Sequence, residues 1–213
     1  MNTESVNTYI QNLIRQGEHQ RLDFKFCITD SKKIARTLVA FSNTDGGKIL
    51  IGVKDNGIIA GIKSEEEFYM VQAAAHLYCR PSIHFKYKNW NISNKNILEI
   101  ITPKSENILY YALNDRDKWR VYIRVKDQNL LANRVFIRAW KREKKNIGTF
   151  IQYTDKEKLL LNHLKKSGVM SLSKFQRTAK ISRYKAESIL VNLLVLKIIN
   201  INFTDKGVYY TLR

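Results

Sequence analysis

The 213-residue chain reads as an α+β domain over residues 1–145, followed by a small helical domain over residues 153–213 that closes with a hairpin. Three observations predict this. Apolar runs of strand length ("RLDFKF", "KILIGV", "NILEIIT") alternate with segments whose apolar residues recur every three or four positions. After the basic run "KREKKNIGTFIQYTDKE" the strands stop, and three amphipathic segments with capping residues follow in close succession. Hydrophobic content of 44% with 11% aromatics marks a chain that folds around a core.

In chain order, "NTYIQNLIRQG" is a short helix stopped by Gly17. "RLDFKF" alternates, with Leu22, Phe24 and Phe26 on one strand face and Asp23 and Lys25 on the other. "SKKIARTLVAFSN" places Ile34, Leu38 and Phe41 at helical spacing behind a cap at Asp30 or Ser31. "KILIGV" is a buried-strand run, and "DNG" turns it tightly into "IIAGI". "SEEEFYMVQAAAHLYCR" is a helix with Ser64 and Glu67 at capping-box spacing, ending before Pro81. Strands follow in "SIHFKYKNW", "NILEIIT" and "KWRVYIRVKD", and a last helix near "NLLANRVFIRAWKRE" completes the first domain.

The stretch "AFSNTDGGKILIGVKDNG" invites a nucleotide reading, which its spacing rejects. A phosphate loop needs G-x-x-x-x-G-K-[ST] between a strand and a helix, so that amides at the helix start face the phosphates. Here Lys48 is followed by Ile49, which removes the magnesium-binding hydroxyl, and the order is helix then strand. Asp45-Gly46-Gly47 therefore caps a helix C-terminus, where glycine supplies the left-handed residue.

In the second domain "TDKEKLLLNHLKKSG" is a helix capped at Thr154 or Asp155 and ended by Gly168. "SLSKFQRTAK" is a second short helix, and "SRYKAESILVNLLVLKIIN" is a third, beginning at Ser182. "IININF", "TDKG" and "VYYTL" form a hairpin, and three helices followed by a hairpin is a winged helix-turn-helix. Its third helix enters the major groove with Ser182, Arg183, Lys185 and Ser188 outward, while Ala186, Ile189, Leu190 and Leu193 pack inward. Winged helices also serve as protein-interaction and dimerisation modules, which is the competing use.

Charge is the strongest compositional signal: 37 Lys and Arg stand against 19 Asp and Glu, a formal net of +18. Such an excess attracts polyanions in a salt-dependent way; the bland alternative is a basic solubilising surface. No apolar run reaches the length of a membrane span, and "MNTESVNTYI" lacks the features of a signal peptide, so a cytoplasmic protein with no membrane partner is expected. Cys27 and Cys79 have no metal-type spacing and read as reduced thiols, with a disulfide as the alternative. Four histidines, His19, His76, His84 and His163, form no Ser/His/Asp or Cys/His set.

Three segments, "EHQRLDFK" (Glu18 to Lys25), "AFSNTDGGKILIGVKDNGIIAGI" (Ala40 to Ile62) and "VYIRVKDQNLLA" (Val121 to Ala132), resemble the Schlafen AlbA_2 family, also described as a divergent AAA-4 or DNA-binding domain. The resemblance implies an AlbA_2-like mixed sheet with helices, over roughly residues 8–140, and a C-terminal winged helix is a common companion in bacterial members. Some members cleave transfer or ribosomal RNA with three carboxylates, and the matching positions here are Glu18, Asp23 and Asp55. As candidate catalytic residues and ligands for Mg²⁺ or Mn²⁺ they have suitable chemistry, since hard oxygen donors hold a cation that activates water. Asp23 is shorter than the glutamate those members carry.

Each acid also has a structural reading: Glu18 beside Arg21, Asp23 beside Lys25, and Asp55 opening the D-N-G turn. Arg124 matches an arginine of the family's late strand and is expected to face the groove beside "DFK", contacting phosphate or ordering an acid. Lys25, Arg124, Ser182, Arg183 and Lys185 are thus the candidate nucleic-acid contacts. The sequence points to a protein that binds DNA or RNA, a DNA-binding transcriptional regulator, with a metal-dependent endoribonuclease acting on structured RNA as the alternative. Homo-oligomerisation is compatible with either.

Overall fold

The computed structural model describes residues 3–145 and 153–213, which divide into two compact units, Met1–Leu131 and Ala132–Arg213. Positions 146–152, within the basic run read above as the domain boundary, lie outside the described residues. No helix among the described residues is long and apolar enough to cross a membrane.

The first unit runs α1 (Thr3–Gln16), β1 (Leu22–Lys25), α2 (Ser31–Ser42), β2 (Gly47–Ile51), α3 (Glu66–Leu77), β3 (Cys79–Arg80), β4 (Lys86–Ile92), β5 (Lys95–Thr102), β6 (Tyr111–Leu113), β7 (Trp119–Arg120), β8 (Tyr122–Val125) and β9 (Gln128–Leu131). Its main sheet has the order β1-β2-β5-β4. β1 and β2 are parallel, because α2 carries the chain back between them, and the other pairs are antiparallel. Two small sheets flank it, β3-β6-β7 and the hairpin β8-β9.

The main sheet is buried on both faces. Ile49, Ile51, Leu98 and Ile100 pack with Ile34 and Leu38 of α2 and with Val71 and Ala75 of α3. Leu22, Phe24, Leu50 and Ile97 form the other core with Ile10 of α1. Two-sided burial is the reason "KILIGV" is continuously apolar rather than alternating. Helix α2 is capped by Asp30, whose side chain accepts from the Lys32 and Lys33 N–H groups.

The structure departs from the sequence reading at several local points: "KWRVYIRVKD" is split between β7 and β8 of different sheets, and Gln128–Leu131, whose end was read into the last helix, is strand β9. "IIAGI" adds a single bridge, Val53 to Ile59, rather than a strand. Gly52 has φ +96°, and its carbonyl accepts from both the Ala60 and the Gly61 N–H, at 2.8 and 2.9 Å, a bulged pairing in place of a regular ladder. At the start of α3 the N-cap is Glu65, and Ser64 Oγ accepts from the Glu66 N–H at 3.3 Å while Glu67 is buried, so no capping box forms.

The second unit holds α4 (Arg134–Lys144), α5 (Asp155–Ser167), β10 (Met170–Ser171), α6 (Leu172–Ala179), α7 (Arg183–Val195), β11 (Ile199–Thr204) and β12 (Gly207–Leu212), with the sheet ordered β10-β12-β11. Thr154 and Glu157 form a capping box on α5, and Gly168 ends that helix with φ +72°. Ser182 caps α7 by accepting from the Lys185 N–H.

The reading that α4 completes the first domain is corrected here. Val135 and Ala139 share a core with Leu160, Leu190 and Leu193, and Asn133 donates to the Tyr210 hydroxyl at 3.2 Å. Arg142 hydrogen-bonds Asn192 of α7. The helix therefore buries its apolar stripe in the second unit, which begins at Ala132 instead of near 153. The charge moves with it. Residues 132–213 hold eighteen Lys and Arg against five Asp and Glu, net +13, whereas residues 1–131 hold nineteen against fourteen, net +5.

Candidate functional site

Strand β1 lies at the sheet edge, and alternation along it sends Leu22 and Phe24 into the α1-side core. Asp23 and Lys25 point the opposite way, into a cleft of about 370 Å³ that β1, α2, the turn after Val53 and the β8-β9 hairpin enclose. Glu18, Asp23 and Asp55 all line it. The three acids drawn from distant positions in the sequence are thus brought to one cleft, together with Lys25, Lys33, Arg36, Arg124 and Asp127.

These charges are largely compensated within the cleft. Asp23, 3% exposed, accepts a 2.9 Å hydrogen bond at Oδ1 from Arg124 Nη2. Lys25 Nζ lies 2.6 Å from Asp23 Oδ2 and 3.9 Å from a Glu18 oxygen. The contact with Oδ2 is ionic but outside hydrogen-bond geometry, since Lys25 donates to the Phe24 carbonyl at 2.6 Å, and Oδ2 has no hydrogen-bond donor. Glu18 accepts from the Phe24 N–H at 2.8 Å. Burial pushes the Glu18 carboxyl above the ordinary glutamate range, and the charges of Asp23 and Asp55 add to the rise, against the Phe24 N–H and Lys25. Asp55 is exposed at the head of the Lys54–Gly57 turn.

The expected Glu18–Arg21 pairing is not the one the structure makes; Glu18 turns to Phe24 and Lys25. Asp23 does pair with Lys25, and His19 Nδ1 accepts from the Arg21 N–H at 3.2 Å in the turn before β1. Among the described residues, no three His, Cys, Asp or Glu side chains are placed to hold one metal ion. The Lys25 ammonium stands between Glu18 and Asp23, where a shared cation would sit. As placed, the residues fit the lysine rather than Mg²⁺ or Mn²⁺.

Arg124 reaches the groove beside β1, as its strand position suggested, and orders the acid. Its side chain is 1% exposed, which leaves no surface for a phosphate. Beyond Asp23, Nη2 donates to the Leu22 and His19 carbonyls at 3.3 and 3.4 Å, and Nη1 donates to Asn129 Oδ1 at 3.0 Å. The guanidinium lies 5.0 Å from the Phe41 ring centroid. A Cβ on Gly47 would come within 2.6 Å of that same ring, so this glycine permits the close packing of strand and ring.

The polar residues of "SNTDGG" hold the β8-β9 hairpin in place. Asn43 Nδ2 donates to the Tyr110 and Tyr122 carbonyls, and Thr44 Oγ1 accepts from the Arg124 N–H at 2.9 Å. Gln20 Nε2 donates to Asp45 at 3.0 Å and to the Arg124 carbonyl at 2.9 Å, while its oxygen accepts from the Lys126 N–H. Helix α2 itself ends with Asn43 in right-handed conformation, and the left-handed residue arrives at Gly46, φ +69°, whose N–H donates to the Phe41 carbonyl. Sequence reasoning missed this bracing, whose partners, apart from Gln20 and Asp45, lie 67 to 106 positions from each other.

The lysine of "GGK" has a structural assignment too. Lys48 Nζ lies 3.2 Å from Glu99, which is 0% exposed, and donates to the Tyr9 hydroxyl at 2.6 Å. Tyr9 donates to Glu99 Oε1 at 2.6 Å and Trp90 Nε1 donates to Oε2 at 2.9 Å. Both oxygens of this buried carboxylate thus accept a hydrogen bond, and a lysine offsets its charge.

In the second unit, Ser182, Arg183 and Lys185 are exposed at the first turn of α7, and Ser188 is half-buried. Arg183 Nε is tied back to Glu187 Oε1 at 3.0 Å, and Arg138 of α4 reaches the other Glu187 oxygen at 3.6 Å. Ala186, Ile189, Leu190 and Leu193 are buried as expected.

An edge-strand acid cleft, braced by a buried arginine from a late hairpin, defines the first unit as a mixed α+β domain with a compensated acidic site. Residues 18–133 match the family described as Schlafen, AlbA_2, and the chain belongs to that family. The match stops just before α4. No protein of curated function matches the chain. Among solved structures, the chain is similar to the DIP2311 protein from Corynebacterium diphtheriae, with TM-score 0.45 and 15% identity over 66% of this chain and 32% of that one. It is also similar to the N-terminal domain of a RecG-related protein from Nitrosomonas europaea, with TM-score 0.39 and 16% identity over 61% and 95% of the two chains. The chain therefore spans about a third of the first of these proteins.

Proposed function

We propose that the protein binds nucleic acid and acts as a DNA-binding transcriptional regulator, its second unit serving as a winged helix-turn-helix. The observation that carries this reading is the net charge of +13 on residues 132–213. Helices α5, α6 and α7 followed by the β11-β12 hairpin supply the element order of such a module. Lys185 and Ser182 stand exposed at the start of α7, while Arg183 shares its charge with Glu187. The first unit adds only +5, and its cleft is internally compensated. Binding of the full chain to a duplex of about 25 base pairs, followed by anisotropy across a salt series, tests this. The logarithm of affinity should fall linearly with that of salt, and Lys185→Ala should reduce the slope by about 0.9, one phosphate contact. Affinity that ignores salt, or no binding, would overturn it.

A metal-dependent endoribonuclease acting on structured RNA is the second reading, favoured by the gathering of Glu18, Asp23 and Asp55 in one cleft. It requires the Lys25 ammonium to vacate its place between two of the acids. Cleavage of a structured RNA with Mn²⁺ or Mg²⁺ and without, compared with the Glu18→Gln/Asp55→Asn chain, decides it; undiminished cleavage by the variant removes it.

A further inference from the structure

Among the described residues, the most exposed of the large hydrophobic side chains is an aromatic ring in the middle of the basic first turn of α7. Tyr184 is 72% exposed, flanked in sequence by Arg183 and Lys185. A single exposed ring is ordinary on a protein surface, so it is the setting of this one that matters. This ring is also held in a fixed setting. The Arg138 guanidinium of α4 lies 5.3 Å from its centroid. Glu187, itself 2% exposed, holds Arg138 at 3.6 Å on one oxygen and Arg183 at 3.0 Å on the other. A buried carboxylate thus holds Arg138, the arginine against the ring, and also ties down Arg183, its neighbour in sequence. Since Arg138 covers only a small part of the ring, most of the tyrosine remains open to a ligand.

The chemistry of that arrangement selects its partner. A tyrosine backed by a guanidinium offers a flat, polarised face, while neighbouring cations offer phosphate contacts on either side. Bases within a paired, stacked duplex present only their edges to a groove. There a ring meets only an edge group such as a thymine methyl, whereas an unpaired base offers its whole face. We propose that Tyr184, supported by Arg138, is a stacking platform for an unpaired nucleobase, so that the second unit binds a locally opened duplex more tightly than the same duplex fully paired. This rests on the nucleic-acid reading above and deepens it.

The test uses the full chain, three probes and three variants. The probes are a 20-nucleotide oligothymidine, a fully paired duplex, and that duplex with a central three-nucleotide bubble. Tyr184→Ala should weaken binding to the single strand and the bubble by roughly ten- to a hundredfold, the usual range for one stacked base, and leave the paired duplex within about twofold. Tyr184→Phe should keep the affinity, and Tyr184→Leu should lose it with the alanine variant. Equal losses on all three probes, no loss on any, or a phenylalanine variant as weak as alanine would overturn the inference. So would a change in self-association with nucleic-acid binding untouched, which would assign the ring to contact between copies. If the parent chain binds in a salt-dependent manner while Tyr184→Ala matches it on every probe, this inference falls alone. If the parent chain binds no probe, the proposed function falls with it.

Discussion

Replacing Arg124 by methionine removes the cation from a carboxylate that has almost no access to water. Asp23 is 3% exposed, and Arg124 supplies its one hydrogen bond, at 2.9 Å, along with donors to two main-chain carbonyls. Breaking a buried ion pair by deleting one partner typically costs 3–5 kcal/mol, because the other charge is stranded. Lys25, 2.6 Å from the second oxygen, offsets part of this and places the expected loss near the lower bound, about 3 kcal/mol. For a unit of this size that corresponds to a melting temperature lower by about 10 °C. Urea unfolding gives the free energy, and hydrogen exchange in peptides from β1 and β2 assigns it to the first unit. The Asp23→Leu/Arg124→Met chain should recover at least half of the loss, since a buried pair replaced by apolar groups is close to neutral. A loss below about 1 kcal/mol for Arg124→Met, or a double variant no more stable than the single, would refute the view that Arg124 exists to neutralise Asp23.

Two further outcomes follow from the same structure. The Glu18 carboxyl is raised in the folded protein, so the folded state binds a proton that the unfolded chain has released; stability contributed by protonated Glu18 is present below the ordinary glutamate range and is lost as pH rises through its raised value. Subtracting the pH–stability curve of Glu18→Gln from that of the parent chain should show this downward step, and a difference curve that rises with pH would contradict it. Both cysteines are free, and burial pushes the Cys79 thiol up to about 12 while Cys27 is partly exposed. Alkylation at pH 8 should therefore label Cys27 alone in the native chain and both thiols in urea, with fast native labelling at Cys79 as the contrary result.

The sequence alone determined most of the helices and strands, and the resemblance it carries singled out the three acids that share a cleft. Helix and strand periods are local properties, so "KILIGV", the capped α5 and the Ser182 start of α7 were legible from residues within a turn or two of each other. What the tertiary structure decided was partnership. The bracing of Arg124 by Thr44 and Gln20, and of Asp23 by Arg124, joins positions up to 104 apart, for which no local pattern exists. The same holds for α4: its periodicity announces an apolar stripe but not which core receives it, and only the packing of Val135 and Ala139 beside Leu190 assigns its basic face to the second unit. Charge compensation is a distance-dependent quantity, and so the sequence could gather three carboxylates by kind while only the fold revealed the lysine standing between two of them.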